Sequence, residues 1–566
     1  MAVIATAGHV DHGKSSLIRA MTGSDPDRLA EEQRRAMTID LGFAHCRTAN
    51  GTVLSFIDVP GHSDFIRTMI SGVSGVDIVM LVIDANEGWK PQTEEHLGII
   101  EVLGVSRGVV VLTKSDKVDA EMLQQRRTEI ASRLTTSTVK WVNTITTSVN
   151  DGTGIDELVA CIESLVLSQN SHGHTHRPRL FVDRVFSMKG SGTVVTGTLE
   201  GEAIDVTTPL VIARTDTAVR VREIQTHGSL VSTAVAGSRC AINISGVDVS
   251  EVQRGDALVR PGDWWMSQVF DAQIDVLPAL QQPLTHRGSF TVHIGTRSQS
   301  ATVRIVQADN VSPGSSGLVR IRFAHALPLV PGDRFLLRDT GIGATVGGGV
   351  ILDVDPRTRV KDAAPDGSVE HILKDRGWIT VEQARQLTGR DIEPTVGEWI
   401  TDSHTLQETV TSLEESLSHS ESLDVSTLTA YERELLITLD GVHIENGIAI
   451  RGAHDPVMSH PYVAMFLQAG VASPDTDKLD RNTIRQLVQK KILFEHDNIA
   501  FHRDTLLSLR PELQQLWSQY PGGFTMANLR DALSITRKHA LPLANCLDKV
   551  GLTKRQGDVR VRGAAW

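Results

Sequence analysis

The sequence predicts a multidomain protein with an α/β domain, two β-barrel domains and a carboxy-terminal tandem winged-helix array. Its length of 566 residues exceeds what a single hydrophobic core organises. Up to about residue 170, strand-like apolar runs alternate with helical patterns, which indicates a parallel sheet covered by helices. Beyond Pro356, short amphipathic helices alternate with β-rich pieces, which indicates a repeated helical unit.

The composition is ordinary for a soluble globular protein, with 40% apolar and 22% charged residues. The longest apolar runs, such as "VDIVMLVID", have the length of strands, so no membrane span is expected. The amino terminus leads into a predicted strand and lacks the features of a cleavable signal. The four cysteines form no CxxC pair, which argues against a disulfide framework or a zinc site. We therefore expect a cytoplasmic protein.

The α/β domain is predicted over residues 1–170 from five apolar runs. They are "AVIATAG", "VLSFIDVPG", "DIVMLVIDA", "GVVVLTKSD" and "KWVNTITTS". Each has the length and apolar character of a buried strand. Helical stretches lie between them, so the set predicts a parallel sheet with helices on its faces.

Two β-barrels are predicted after a polar linker. In "NSHGHTHRP", the residues His172, His174 and His176 alternate along an extended edge without a nearby carboxylate or cysteine, which favours a linker over a metal site. From there to about residue 355 the chain is rich in Val, Thr, Gly and Arg, with close-set turns and no helical periodicity. We assign the barrels to residues 177–264 and 265–357. The run "VGGGV" precedes no helix and predicts a tight strand or a bulge.

The winged-helix array is predicted over residues 366–566, with its last unit at about 512–566. The whole chain has a net charge of −12, but this charge is unevenly distributed. Residues 361–480 hold 22 Asp and Glu against 8 Lys and Arg, whereas residues 536–563 hold seven Lys and Arg against two Asp and Glu. An acidic stretch repels phosphate, so we interpret it as a spacer and the basic end as a nucleic-acid contact.

The stretch "GHVDHGKS" predicts a phosphate-binding loop, because it follows a predicted strand and opens a helical run. Its glycines let backbone N–H groups wrap phosphates, Lys14 supplies a point charge, and the Ser15 hydroxyl can ligate magnesium. The alternative, a glycine-rich strand–helix turn, is disfavoured by this context. The predicted nucleotide contacts are Gly8, His9, Val10, Asp11, His12, Gly13, Lys14, Ser15 and Ser16.

Three later stretches follow in the order that a guanine-nucleotide switch requires. "MTID" supplies Thr38, whose hydroxyl can complete the magnesium shell. "DVPG" supplies Asp58 behind the magnesium and Gly61, whose N–H can sense the γ-phosphate. His62 follows and is the candidate for orienting the attacking water, because positioning is most of what a protein contributes to phosphoryl transfer. A surface loop histidine is the alternative for His62.

The third stretch, "TKSD", specifies the base. The Asp116 carboxylate can accept both guanine N–H groups, which adenine cannot satisfy, and Lys114 lies along the base. Thr113 begins this motif, and Ser148 and Val149 are the predicted backbone bracket of the base. The ordered set predicts a P-loop GTPase domain that binds GTP/GDP and Mg²⁺ and hydrolyses GTP to GDP and phosphate.

Together, "GHVDHGKSS", "MTIDLGFA", "DVPGHSDFI" and "TKSD" resemble the translational GTPases related to elongation factor Tu. The stretches "FVDRVFSMKGSGTVVTGTLEGE" and "GDRFLLRDTGIGATVGGGVILD" are similar to the two barrel domains of that family. "TIDLGFA", "VRVREIQTHG" and the closing "RKHALPL" block are typical of the bacterial selenocysteine-specific elongation factors, which end in four winged helices. The likeness covers the whole chain and is weakest at residues 361–480.

This resemblance implies a monomeric factor that delivers selenocysteinyl-tRNA to ribosomes at a recoded UGA, with ribosome-stimulated GTP hydrolysis. It also implies that the last winged helix binds a messenger RNA hairpin (SECIS). The positions that match the selenol pocket of the first barrel are Asp183, Arg184 and Arg239. The chemistry agrees, because a selenol ionises near neutral pH and a serine hydroxyl does not, so paired arginines favour the selenolate. Without the resemblance, both arginines would be interpreted as ordinary surface charges.

Two positions depart from the superfamily pattern, and two other functions stay open. Ala36 stands where glycine is usual, which reduces backbone freedom in the switch segment. Thr113 stands where most GTPases have asparagine, which could loosen nucleotide binding. An ordinary elongation factor Tu paralogue would need no extra carboxy-terminal region and would lack the arginine pair. A DNA-binding regulator would leave the barrels without a role.

The basic end is predicted to be a helix-turn-helix followed by a hairpin. "TMANLRDAL" forms the first helix, and Thr536 caps the second helix, whose amino-terminal end presents basic residues to phosphate. The predicted buried positions of that helix are Leu541, Leu543, Leu547 and Val550. RNA duplexes hide their base edges, so we expect this unit to clamp phosphates and to read bases in a loop or bulge. The predicted RNA contacts are Arg537, Lys538, Lys554, Arg555, Arg560 and Arg562.

Overall fold

The structure is a computed structural model that describes most of the chain in two compact units, Met1–Val410 and Thr411–Trp566. The described residues are 2–26, 38, 40–60, 76–168, 177–188, 192–420, 422–445, 447–451, 457, 460–564 and 566. The positions Ala36, Gly61, His62, His172, His174 and His176 lie outside them. No helix among these residues combines the length and apolarity needed to cross a bilayer.

The amino-terminal domain is a six-stranded sheet with helices, in the strand order β2-β3-β1-β4-β5-β6. Its strands are β1 Ala2–Ala7, β2 Gly42–Arg47, β3 Val53–Asp58, β4 Ile78–Asp84, β5 Arg107–Thr113 and β6 Lys140–Thr146. Its helices are α1 Lys14–Thr22, α2 Pro91–Val102, α3 Ala120–Arg133 and α4 Ile155–Leu167. The predicted α/β fold is confirmed, since all strand pairs except one are parallel.

Two features of this sheet differ from the sequence expectation. β2 was not predicted and pairs antiparallel to β3. Polar residues alternate with apolar ones along it, so no continuous apolar run marks it. β6 was predicted to be buried, but it lies at the sheet edge and most of its residues are partly or fully exposed, including Val142. An edge strand has only one neighbouring strand, which explains this exposure.

The first barrel is a closed ring of six strands in the order β11-β16-β7-β9-β15-β12, with β12 pairing back to β11. The strands of this region are β7 Arg179–Phe181, β8 Arg184–Met188, β9 Gly192–Glu200, β10 Ile204–Asp205, β11 Leu210–Ile212, β12 Thr217–Thr226, β13 Ser229–Val231, β14 Thr233–Ala234, β15 Arg239–Ser245 and β16 Ala257–Val259. Closure leaves the ring without an open edge, as a small barrel requires.

The second barrel is also closed, in the order β17-β20-β19-β18-β21-β22. Its strands are β17 Met266–Val276, β18 Phe290–Ile294, β19 Arg297–Val306, β20 Ser316–Pro328, β21 Arg334–Asp339 and β22 Ala344–Asp353. The glycine run lies in β22, as the tight-strand prediction required. A Cβ atom at Gly349 would lie 1.9 Å from the Gln273 carbonyl oxygen, so the neighbouring strand excludes any side chain there.

Arg179 joins the two barrels. Its Nη1 and Nη2 donate to the two carboxylate oxygens of Asp333, each at 2.7 Å, and its Nε and Nη2 donate to Glu200. Burial alone would lower the pKa of Arg179, but these two carboxylates raise it overall. A bidentate pair of this kind fixes orientation as well as distance, so the barrels are held in one arrangement.

The predicted winged-helix region begins within the first unit. It starts with α5 Val369–Arg376, β23 Ile379–Thr380, α6 Val381–Thr388 and β24 Trp399–Ile400. Ile372, Leu373, Ala384 and Leu387 share one buried core with the second barrel. This first piece therefore packs as part of the barrel unit.

The second unit repeats the predicted order of helix, helix and hairpin. Its elements follow α7 Ser403–Ser420 and are β25 Ser422–Asp424, α8 Ala430–Thr438, β26 Val442–Glu445, β27 Ile448–Arg451, α9 Pro461–Ala469, α10 Arg481–Gln489, β28 Leu493–His496, β29 Ile499–His502, α11 Arg503–Ser508, α12 Arg510–Gln519, β30 Phe524–Thr525, α13 Met526–Leu533, α14 Arg537–Val550, β31 Thr553–Gln556 and β32 Val559–Arg562. Sheets β25-β27-β26 and β30-β32-β31 have three strands each, and β28 pairs with β29. A winged-helix domain at the carboxy terminus is confirmed.

Gly349→Ala is expected to destabilise the second barrel, because the added methyl group would overlap the Gln273 carbonyl. Overpacking of this kind costs about 1–3 kcal/mol. Thermal unfolding followed by circular dichroism measures the effect. Gly341→Ala is the matched control, since the nearest atom to its Cβ belongs to the movable Asp339 side chain. An unchanged unfolding midpoint for Gly349→Ala would show that the strand can shift to accept a side chain.

Candidate functional site

The loop between β1 and α1 has the backbone shape of a phosphate cradle. Gly8 has φ 132°, and a Cβ atom there would lie 2.2 Å from the Val82 carbonyl oxygen. Gly13 has φ 86° and is the N-cap residue of α1. Both conformations favour glycine, and the loop ends at a helix amino terminus, where backbone N–H groups suit an anion.

Lys14 is buried and points its ammonium group into this loop. Its Nζ donates to the carbonyl oxygens of Gly8, at 3.2 Å, and His9, at 2.9 Å. A phosphate oxygen carries more negative charge than a carbonyl oxygen and is a stronger acceptor. Lys14 is therefore positioned to exchange these carbonyls for the phosphates of a bound nucleotide.

The three predicted magnesium ligands lie together at the end of β3. Ser15 Oγ donates to Asp58 Oδ2 at 2.6 Å and lies 2.9 Å from Thr38 Oγ1, which is 3.4 Å from the same carboxylate oxygen. Asp58 is fully buried, and burial raises its pKa, while the Lys14 charge and the hydroxyl hydrogen bonds oppose this shift. A buried carboxylate beside two hydroxyls fits the oxygen ligands that Mg²⁺ prefers. Bound there, Mg²⁺ would supply positive charge next to the phosphate oxygens.

Residues that sequence reasoning missed also hold the loop. Thr6 Oγ1 donates to Asp58 Oδ1 at 2.8 Å, and the His96 ring on α2 accepts the Gly8 N–H at 3.1 Å. Burial and the Lys14 charge lower the pKa of His96 to about 3, so its ring is neutral and can accept. Gln92, one turn earlier on α2, accepts the Val10 N–H. Gln92 and His96 are far from the loop in sequence, and the Thr6 hydroxyl acts on Asp58, 52 residues later, so no motif marks them.

The base motif contacts the phosphate loop directly. Thr113 Oγ1 donates to the His12 carbonyl at 2.7 Å, so the threonine still anchors the loop although asparagine is usual here. Lys114 has φ 56°, forms an ion pair with Asp84 at 2.8 Å and donates to the Asp11 carbonyl. This contact gives the loop a second support from the end of β5.

The predicted base contacts surround an exposed carboxylate. Asp116 accepts from Asn150 Nδ2 at 2.8 Å, and this hydrogen bond lowers the pKa of Asp116. Ser148 is buried, and its N–H donates to the Thr153 carbonyl at 3.0 Å, whereas the Val149 side chain is exposed. The charged form of Asp116 is thus the one available to accept from a guanine. The Gly61 and His62 predictions lie outside the described residues.

A cavity of about 350 Å³ lies between the α/β domain and the first barrel. Arg184 and Arg239 line it together with Phe43, Thr196 and His227. Both arginines contact the Phe43 ring, with guanidinium-to-centroid distances of 5.1 and 3.5 Å. The structure therefore brings the two predicted pocket arginines together at one aromatic ring, and a cation–π contact is stronger where water is excluded.

Asp183 contacts Arg239 but does not line the cavity. The Nε and Nη2 atoms of Arg239 donate to its two carboxylate oxygens at 3.1 and 3.0 Å, and the Thr196 hydroxyl donates to the same group. Burial lowers the pKa of Arg239, and the Asp183 charge opposes this effect. Asp183 is thus a residue that orients Arg239.

The predicted RNA contacts of the tail divide into exposed and internal residues. Arg537, Lys554 and Arg555 are exposed, and Arg562 lies near the Trp517 and Trp566 rings. Arg560 differs, because it is only 4% exposed and donates to Asp548 and Asn545 within the same unit. It lies on β32, the middle strand of its sheet, so its position is internal.

Helix α14 shows three further differences from expectation. Lys538 pairs with Asp475 at 2.6 Å. The Thr536 hydroxyl contacts the His539 ring, and no side-chain hydrogen bond caps the helix. Leu541 was predicted to be buried but is 45% exposed, whereas Leu543 and Leu547 are buried. The exposed face of α14 therefore carries Arg537 and Leu541, one helical turn apart.

Three parts of the chain match known families. Residues 1–168 match the GTP binding domain of elongation factor Tu, residues 271–358 match the β-barrel domain of the selenocysteine-specific elongation factor, and residues 515–562 match a winged helix of elongation factor SelB. The crystal structure of a bacterial selenocysteine-specific elongation factor, EF-Sec, has a TM-score of 0.67 at 26% identity and covers 99% of both chains. The chain is therefore similar along its whole length to selenocysteine-specific elongation factors.

The aligned fraction of the chain differs from one relative to another. The selenocysteine-specific elongation factor of Desulfomicrobium baculatum is 40% identical over 62% of this chain, and the alignment spans 55% of that protein, about half its length. The corresponding protein of Escherichia coli K12 is 28% identical with 98% of both chains covered. The structure of SelB from Methanococcus maripaludis with the GTP analogue GppNHp has a TM-score of 0.56 at 26% identity, over 63% of this chain and 79% of that one.

Thr113→Val is expected to speed GDP release, because it removes the hydroxyl that donates to the His12 carbonyl. One such hydrogen bond contributes about 1 kcal/mol, so release should be roughly fivefold faster. Stopped-flow fluorescence with a labelled GDP measures this rate. Thr128→Val is the control, since its hydroxyl donates to the Gln124 carbonyl within α3. Equal release rates for both variants would mean that Thr113 does not support the loop.

Proposed function

We propose that the protein is a translation elongation factor that binds GTP and selenocysteinyl-tRNA and delivers this tRNA to the ribosome. Delivery takes place in the cytoplasm at UGA codons that an mRNA hairpin marks. Hydrolysis of GTP on codon recognition then releases the tRNA. The chain acts in this process as a monomer.

The paired guanidinium groups of the cavity carry this proposal. Arg184 and Arg239 share the Phe43 ring and line a space of about 350 Å³, which accommodates a small side chain. A selenol is ionised near neutral pH, so it enters as an anion that two positive groups stabilise. A serine hydroxyl stays neutral and gains no such stabilisation. The pocket thereby separates selenocysteinyl-tRNA from seryl-tRNA, which differ in this one group.

The nucleotide site supports the GTP-dependent part of the proposal. The phosphate loop, the Asp58 cluster and the exposed Asp116 carboxylate together suit a guanine nucleotide with Mg²⁺. Lys14 and the loop N–H groups would hold the phosphates, and Ser15, Thr38 and Asp58 would hold the metal, which would supply positive charge to the phosphate oxygens. His62 orients the attacking water in this mechanism.

The tail supplies the messenger RNA contact of the proposal. Arg537, Lys554 and Arg555 are exposed on the last winged helix and present positive charge to phosphates. Base readout takes place at an unpaired loop or bulge of the hairpin, since an RNA duplex hides its base edges.

Arg239→Gln is expected to reduce the preference of the protein for selenocysteinyl-tRNA over seryl-tRNA. With GTP present, the wild-type chain should bind selenocysteinyl-tRNA at least tenfold more tightly than seryl-tRNA. The reason is that a charge-assisted hydrogen bond is roughly twice as strong as a neutral one. Filter binding with both tRNAs measures the two affinities. Retained GDP binding by the variant is the folding control. Equal wild-type affinity for the two tRNAs would refute the proposed function.

Arg555→Ala is expected to weaken binding of the mRNA hairpin and to lower the slope of log affinity against log salt by about one, since one phosphate contact is lost. GTP hydrolysis by the isolated protein should stay unchanged. Electrophoretic mobility shifts at several salt concentrations measure the slope. Lys140→Ala removes an exposed charge of the α/β domain and is the control. Equal slopes for the wild type and both variants would contradict the proposed phosphate contact of Arg555.

A further inference from the structure

One nitrogen of the pocket arginine Arg184 is held by the segment that follows Thr38. Its Nη2 donates to Asp40 Oδ2 at 2.8 Å and to the Leu41 carbonyl oxygen at 2.6 Å. Both acceptors belong to the α/β domain, whereas Arg184 belongs to the first barrel. Arg184 and Asp40 are each only about one third exposed, so water screens this pair incompletely.

Asp40 cannot move independently of Thr38. Two residues of chain span at most about 7 Å, so Thr38 cannot move farther than this from Asp40 unless Asp40 moves as well. The Thr38 hydroxyl lies 2.9 Å from Ser15 Oγ and 3.4 Å from Asp58 Oδ2, at the candidate metal position. The same short segment therefore touches the nucleotide site at one end and Arg184 at the other.

The contact with Asp40 leaves Arg184 able to bind an anion. A guanidinium has five N–H donors in a fixed planar fork, and Nη2 carries two of them. The Nε and Nη1 atoms donate to none of the described residues, so they remain for a ligand in the cavity. The Phe43 ring, at 5.1 Å from the guanidinium carbon, supports one face of the group. Asp40 and Leu41 thus set the direction of the fork without occupying all of it.

We propose that Asp40 is a positioning residue that makes the grip of the pocket on the aminoacyl group depend on the nucleotide. This proposal rests on the proposed function. With Thr38 held at the nucleotide site, Asp40 and Leu41 hold Arg184 toward the cavity. When Thr38 leaves that site after hydrolysis, Arg184 loses both acceptors and its fork is no longer directed at the selenolate. Loss of the γ-phosphate at one site is thereby transmitted to the other.

The test is the affinity of Asp40→Asn for selenocysteinyl-tRNA with a non-hydrolysable GTP analogue and with GDP. The variant should bind roughly tenfold more weakly with the analogue, because a charge-assisted hydrogen bond to Arg184 is lost. Its affinity with GDP should equal that of the wild type, so the ratio of the two affinities falls. Asp40→Glu keeps a carboxylate and should restore part of this ratio.

Asp25→Asn is the matched control. Asp25 pairs with Arg19 at 3.2 Å in the same domain and on an exposed surface, and its loss should leave both tRNA affinities unchanged. Comparable GDP affinity in every variant shows that the nucleotide site is intact.

A double-mutant cycle distinguishes positioning from a general structural role. If Asp40 acts through Arg184, adding Asp40→Asn to Arg184→Gln should cost little further affinity. Additive losses, or an equal loss with the analogue and with GDP, would overturn the proposal. If the wild type binds selenocysteinyl-tRNA and seryl-tRNA equally, the proposed function fails. If the wild type discriminates but Asp40→Asn keeps the wild-type ratio, only the coupling fails.

Discussion

The buried carboxylate of Asp58 is the interaction on which the nucleotide end of the molecule depends. A carboxylate without solvent is costly unless hydrogen bonds or a positive charge stabilise it. Asp58 accepts hydrogen bonds from the hydroxyl groups of Thr6 on β1, Ser15 on α1 and Thr38 in the switch segment. Three separate segments therefore converge on one charge. Burial raises the pKa of Asp58, and the Lys14 charge and these hydrogen bonds oppose the shift.

Contacts continue from this charge to the first barrel. Thr38 leads within two residues to Asp40, which holds Arg184, and Arg184 shares the Phe43 ring with Arg239. The barrels themselves are joined by the bidentate contact between Arg179 and Asp333. Arg239 begins β15, a strand of the closed ring, whereas Arg184 begins β8, which pairs with β9 outside the ring. The short segment after Thr38 is thus the part of the pocket that a change at the nucleotide site reaches most directly.

The parts predicted from sequence are those that local chemistry dictates. Gly8 and Gly13 have positive φ values that favour glycine. Lys14 and Asp58 carry charges opposite to those of a phosphate and a metal ion. The fold class followed from strand and helix patterns, with β2 missed because its apolar residues alternate with polar ones. His96, Thr6 and Phe43 were not predictable in this way. Each acts through a partner distant in sequence, such as Gly8 for His96, so that only the folded chain brings them together.

The tail shows why a charge count alone overstates a binding surface. Arg560 contributes to the positive balance of the segment, yet it is buried and donates to Asp548, and burial lowers its pKa. Leu541 has the opposite character, since it is apolar and yet 45% exposed. It lies one turn after Arg537 on α14, so the two side chains share a face. A face that combines a cation with an apolar group suits an unpaired base beside its phosphate better than a duplex backbone, which offers charge alone.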